Sequence, residues 1–136
     1  MSHPVRLPHV PVLSDVAEYA YLATVDPSAR LLFTAGACPL DADGQTVAPG
    51  DYTAQARQVM ANLTTALAAG SATLTDVVKT TVYVASSRRD DLVTVWEVVR
   101  DAFGDHDPPS TLLGVAVLGY ADQLVEVEAI ATVPAS

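Results

Sequence analysis

The stretch STLLGVAVL at 110–118 is apolar on both faces of a strand. Side chains alternate across a strand, so Thr111, Leu113, Val115 and Val117 face one way while Leu112, Gly114, Ala116 and Leu118 face the other. A sheet that carries such a strand must be covered twice. The chain is 50 % hydrophobic and 17 % charged, more apolar than one small core needs. If helices cover one face, the spacing predicts that a copy of the same chain covers the other.

Two stretches supply the helices. Over 51–69, Ala56, Val59, Met60, Leu63, Ala66 and Leu67 recur at spacings of three and four. Asp51 suits the N-cap and Gly70 the C′ stop. Over 88–103, Leu92, Val95, Trp96, Val99 and Phe103 share a face, Ser87 and Asp90 have capping-box spacing, and Gly104 ends the run.

Strands fill the intervals. Residues 1–15 read as an extended lead-in. AEYAYLATV at 17–25 and LLFTAG at 31–36 flank the turn DPSAR, which predicts an amino-terminal hairpin. Residues 37–50 are loop. DVVKTTVYVA at 76–85 is rich in β-branched residues, and QLVEVEAIATV at 123–133 follows the turn GYAD. In that last strand Val125, Val127, Ala129 and Ala131 face one way, and Glu126, Glu128 and Ile130 the other. The expected fold is a single α+β domain over 1–136, with two helices packed on one face of a mixed, mostly antiparallel sheet.

Charge narrows the function. Sixteen acidic residues against seven basic ones give −9. Phosphate binding needs clustered cations, and here Arg88 and Arg89 alone are adjacent, so neither nucleic acid nor an anionic membrane is expected as a partner. The amino-terminal stretch is broken by Pro4, Pro8 and Pro11 and has no long apolar segment, so it does not read as a signal peptide; a cytoplasmic protein is expected. A single cysteine, Cys38, excludes an internal disulfide and a cysteine-based zinc cluster.

Few side chains offer chemistry. DADG at 41–44 lacks the later positions of a calcium loop and reads as a turn. Asp105, His106 and Asp107 read as a solvated turn rather than a metal site. His3 and His9 lie in the lead-in without a motif. Cys38 has no activating base in sequence and reads as a spectator thiol. Glu126 and Glu128 stand out, because a carboxylate inside VEVEAIA must be desolvated, paired or useful.

Three stretches together resemble one family: LLFTAGACPLDADGQTV, QARQVMANLTTALAAGSATLTDVVKTTVYVA and LVEVEAIA. In order and spacing, 17–133 is similar to the RidA/YjgF superfamily, also called the Rid or L-PSP endoribonuclease family. The resemblance implies a chorismate-mutase-like fold and a homotrimer with a central barrel and small-molecule clefts between subunits. It implies hydrolysis of reactive enamines or imines, such as 2-aminoacrylate, to a ketoacid and ammonia, with no metal or organic cofactor. The family's cleft glutamate falls on Glu126, which would activate water. Gly36 would face the cleft through its backbone. The cleft tyrosine falls on Tyr21, or on Tyr19 if the register slips, and the cleft asparagine on Trp96. The family's carboxylate-clamping arginine falls on Ser110, followed by Thr111. A hydroxyl cannot replace the two parallel charged bonds of a guanidinium, and Arg100 reads as lying on the exposed side of its helix. The expectation is therefore a divergent hydrolase of a polarised neutral imine or enamine; the alternative is a non-catalytic, metabolite-binding trimer. Ribonuclease activity fits poorly with the −9 charge.

Overall fold

The computed structural model describes residues 3–133. The longest strands are β4 (Val77–Ala85) and β6 (Val125–Val133); β3 (Arg30–Phe33) and β5 (Ser110–Val115) complete a sheet of order β3-β6-β4-β5. β6 is antiparallel to both neighbours, whereas β4 and β5 are parallel. A parallel pair needs a long crossover, and α2 (Arg89–Phe103) provides it. α1 (Tyr52–Ala69) connects β3 towards β4 through a short 3₁₀ turn, Leu74–Asp76.

Both helices lie on one face of the sheet. Ala56, Val59, Met60, Leu63 and Leu67 of α1 and Val95, Val99 and Phe103 of α2 pack on Val82, Val84, Val125, Val127, Ala129 and Ala131. The alternation read in the last strand is thus the alternation observed. The other face carries Thr81, Tyr83, Glu126, Glu128 and Ile130 between two exposed apolar flanks. Phe33 is 69 % exposed, with Leu31 and Leu113 also open to solvent. No helix among the described residues is long and apolar enough to cross a membrane.

The amino-terminal hairpin is not formed. Its turn exists, since the Ala29 amide donates to the Asp26 carbonyl at 3.0 Å. The arms then part. Thr24–Val25 (β2) pairs with Val5–Arg6 (β1), inside the expected lead-in, while β3 pairs with β6. The long β-branched run of β6 offers β3 a full ladder, and residues 17–23 instead run along the α2–β5 connection, where the Ala20 amide donates to the Asp107 carbonyl at 2.8 Å.

The helix ends differ in detail from expectation. Asp51 caps α1, its carboxylate accepting from the Ala54 amide at 3.0 Å. Gly70 ends that helix with an ordinary φ of −95°, and Ser71 makes the left-handed exit at +67°. Ala66 is exposed, and Gln55 takes its place in the buried stripe. The Ser87–Asp90 capping box is absent: Ser86 Oγ accepts from the Arg88 amide and donates to Asp91 Oδ2 instead. Gly104 stops α2 with φ +64°.

Candidate functional site

Glu126 stands on the uncovered face of β6, and the chain opposite is shaped around it. Phe33 pairs with Ile130 and Ala37 with Val127, so four residue steps on one side oppose three on the other. The surplus residue makes a bulge over Thr34–Gly36, a device that re-aims side chains. Gly36 lies against the carboxylate: a Cβ there would fall 2.2 Å from Glu126 Oε2. Two donors reach the other oxygen. Cys38 Sγ donates to Oε1 at 3.3 Å and Gln123 Nε2 at 3.1 Å.

Helix α1 sets the loop that carries Gly36 and Cys38. Asn62 Nδ2 donates to the carbonyls of Cys38 and Leu40 at 2.8 and 2.9 Å, and Gln58 Nε2 donates to Asn62 Oδ1 at 3.0 Å. Gln55, wholly buried, donates to the Asp122 carbonyl and accepts from the Leu124 amide at 2.8 Å, which pins the β5–β6 turn beside Gln123. Gln55, Gln58, Asn62 and Gln123 are residues that sequence reasoning missed. Gln55 and Gln58 belong to the Gln-Ala-Arg-Gln stretch already singled out, and their three-residue spacing was the available signal.

Cys38 is not a nucleophile in waiting. Burial, with help from the Glu126 hydrogen bond and charge, pushes its thiol up to about 11. It is nonetheless no spectator, because it touches Glu126. Glu128 has a different partner: Tyr83 Oη donates to its Oε1 at 2.6 Å, and this bond raises the Tyr83 pKa.

The remaining predicted residues gather at the β5 edge of the sheet. Tyr19, Tyr21, Ser110 and Thr111 line one groove with Lys79. Tyr19 stacks edge-on against both Trp96 (6.2 Å between centroids) and Tyr21 (6.0 Å), so either register of the tyrosine leads to this groove. Lys79 Nζ donates to Thr111 Oγ1 at 3.0 Å and to the Thr80 carbonyl at 3.3 Å. Ser110 Oγ accepts from the buried Thr80 hydroxyl at 2.6 Å. That hydroxyl turns toward α2, into a cavity of about 220 Å³ also lined by Trp96 and Arg100.

Arg100 is open to water, as the sequence suggested, but it does not face away from the site: it stands one turn below Trp96 and borders the same cavity as Ser110. Its guanidinium is engaged by the Glu18 carboxylate and, through Nε at 3.0 Å, by Asp101. His106, the loop residue beside this cavity, donates Nε2–H to the Val77 carbonyl at 2.7 Å and so ties the loop to β4. The Asp41 carboxylate likewise accepts from the amides of Asp43 and Gln45 in its own turn.

Within one chain the predicted residues form two groups. Gly36 and Glu126 sit at β6, while Tyr21, Trp96, Ser110 and Thr111 sit at β5, with β4 between. Two strand spacings put the groups about 10 Å apart across the sheet. Thr111 shares the face of Glu126, whereas Ser110 is on the opposite one. One half of the arrangement offers a carboxylate able to accept a proton. The other offers hydroxyls, aromatic rings and two engaged cations.

Residues 13–133 match the family model described as endoribonuclease L-PSP. A RutC family protein of Pyrococcus horikoshii is 36 % identical over 102 residues, covering 75 % of this chain and 79 % of its own. The 2-iminobutanoate/2-iminopropanoate deaminase of Rattus norvegicus is 31 % identical over 116 residues, covering 85 % and 80 %. Among solved structures, the conserved Rid-family protein YyfB of Yersinia pestis superposes with a TM-score of 0.88 at 27 % identity, covering 96 % of this chain and 99 % of that one.

Proposed function

The chain belongs to the Rid/YjgF family, the family of the endoribonuclease L-PSP model, and on that premise we propose that it hydrolyses a small neutral imine or enamine in clefts between the subunits of a cytoplasmic homotrimer. The observation that carries this reading is the Glu126 carboxylate, half-buried on the uncovered sheet face with Gly36 cut back to make room for it.

The chemistry is general-base addition of water. Glu126 accepts a proton from water as the oxygen bonds to the imine carbon. The C=N π pair moves to nitrogen, which takes the proton back from the Glu126 carboxylic acid to give a carbinolamine. The hydroxyl proton then passes through the carboxylate to the amino group, the C–N bond breaks with its pair leaving on nitrogen as ammonia, and the oxygen pair forms the C=O of the carbonyl product. The carboxylate is back in its starting form. An enamine enters the same sequence after protonation at carbon.

Assembly supplies what one chain lacks. Glu126 on the inner strand β6 and the Ser110 group at the β5 edge are two strands apart, so a single subunit does not close a pocket around both. The exposed Leu31, Phe33 and Leu113 give a second copy an apolar surface to cover. A partner's groove of Tyr19, Tyr21 and Thr111 set against Glu126 would complete a cleft. The preference for a neutral substrate rests on the cations. Arg100 is already engaged by Glu18 and Asp101, and Lys79 by Thr111 and a backbone carbonyl, so neither of these two cations offers an open charged site to a carboxylate.

The test is ammonia release from neutral imines and from amino-acid-derived imines, with sedimentation of the same samples. A trimer that accelerates the neutral imines, and that loses about 100-fold or more in Glu126→Gln, supports the reading. Full activity in Glu126→Gln, or a monomer, overturns it. Ligand-induced stabilisation without ammonia release would leave the clefts as binding sites and the hydrolase reading refuted.

A further inference from the structure

We propose that Gln123 and Cys38 are positioning residues that clamp Oε1 of Glu126 and leave Oε2, over Gly36, as the oxygen that takes the proton from water. The inference rests on the hydrolase reading above and deepens it.

Gln123 is 4 % exposed, so each polar atom of its amide must find a partner. Its oxygen accepts from the Tyr120 amide at 3.0 Å. Its nitrogen gives one proton to the Val125 carbonyl and the other to Glu126 Oε1, both at 3.1 Å. This network fixes which end is which: a flipped amide would set an oxygen against the carboxylate and an NH₂ against the Tyr120 N–H. The buried amide is therefore a one-way donor to Glu126.

Cys38 closes the clamp from the bulged loop, 88 residues away in sequence. With its thiol pushed up to about 11, it stays protonated near neutral pH, and its one proton lies between Glu126 Oε1 at 3.3 Å and the Gly36 carbonyl at 3.4 Å, with the carboxylate's charge favouring Oε1. Both donors meet the same oxygen. Among the described residues none donates to Oε2, which has the Gly36 backbone beside it. A flexible glutamate is thereby reduced to one orientation with one oxygen available for proton transfer, the preorganisation a general base needs.

The experiment uses the full chain and four variants. Gln123→Met keeps the length and removes the donors. Cys38→Ala removes the thiol, Cys38→Ser keeps a donor in its place, and Glu126→Gln removes the charge. Losing a hydrogen bond to a charged group predicts a fall in kcat of about tenfold or more for Gln123→Met, with KM unchanged, because the clamp acts on the base and not on the substrate. Cys38→Ser should lose less than Cys38→Ala. A second readout needs no turnover: iodoacetamide alkylation of Cys38 should have its midpoint near pH 11 in the wild type and move toward 9 in Glu126→Gln.

An unchanged kcat in Gln123→Met overturns the clamp, as does a loss shared equally by kcat and KM, or an alkylation midpoint indifferent to Glu126→Gln. A wild type that releases no ammonia refutes the hydrolase reading and the proton-taking role of Oε2. In that case a persisting alkylation shift would still establish the Cys38–Glu126 contact.

Discussion

The Glu126 carboxylate fills the space that a side chain on Gly36 would need: a Cβ at residue 36 would lie 2.2 Å from Oε2, 2.5 Å from Cδ and 2.7 Å from Cγ. Gly36 is not among the glycines with positive φ, so alanine fits its backbone. What the methyl meets is a side chain held by Cys38 and Gln123, which can make room only by giving up those bonds. Gly36→Ala should thus cost about 1–3 kcal/mol of stability while displacing Glu126. A folded protein with a modestly lowered melting temperature and a large loss of ammonia release is expected; retained activity would separate Gly36 from the site.

Cys38 links the same contact to pH. Its folded value of about 11 lies above the ordinary 9.0. Between these values the unfolded chain gives up the thiol proton and the folded chain keeps it, so the unfolded state binds fewer protons and stability falls as pH rises from 9 to 11. Below 9 the thiol contributes no slope. Denaturant unfolding at pH 8 to 11 should show a steeper decline in the wild type than in Cys38→Ala, whose other titrating groups are the same. Parallel curves would contradict the burial and charge that raise the thiol.

Gln55 is the structural counterpart of these site residues. It is wholly buried and bonds the Ala48 and Asp122 carbonyls and the Leu124 amide. Gln55→Ala would take a partner from three backbone groups of half-buried turns, at about 1–3 kcal/mol for each that water does not reach. A drop in the urea midpoint equivalent to about 2–4 kcal/mol is expected. A loss below that of a surface substitution would mean water reaches this turn.

These cases show what a chain reveals before it folds. Glu126 was legible because strand alternation is local: its neighbours Val125 and Val127 had to be core, so it had to face outward. Both helices were legible for the same reason, through spacings of three and four. The amino-terminal hairpin was misread because a turn such as Asp26–Pro27 fixes a chain reversal and not the partner of each arm. Cys38 and Glu126 are joined across 88 residues by a register that no local pattern encodes. Ser110 sits on the face opposite Glu126 because it pairs beside Thr80, again a nonlocal fact. Arg100 was different. It is four residues after Trp96, and residues four apart share a helix face, so placing Trp96 in the cleft already placed Arg100 beside it.

That pairing leads to the last prediction. Glu18 comes from the segment that runs along the α2–β5 connection instead of forming a hairpin, and its carboxylate engages the Arg100 guanidinium at the cavity behind Ser110. A carboxylate of the chain itself thus sits where a ligand carboxylate would have to bind that arginine. Both side chains are partly open to water, so the pair contributes little to stability and can be dismantled without unfolding the protein. Glu18→Gln keeps the shape and removes the competing charge. It should raise the rate on carboxylate-bearing imines relative to neutral ones several-fold, and Glu18→Gln combined with Arg100→Gln should abolish that gain. Unaltered selectivity in Glu18→Gln would mean that Arg100 does not reach the substrate and that neutral preference has another origin.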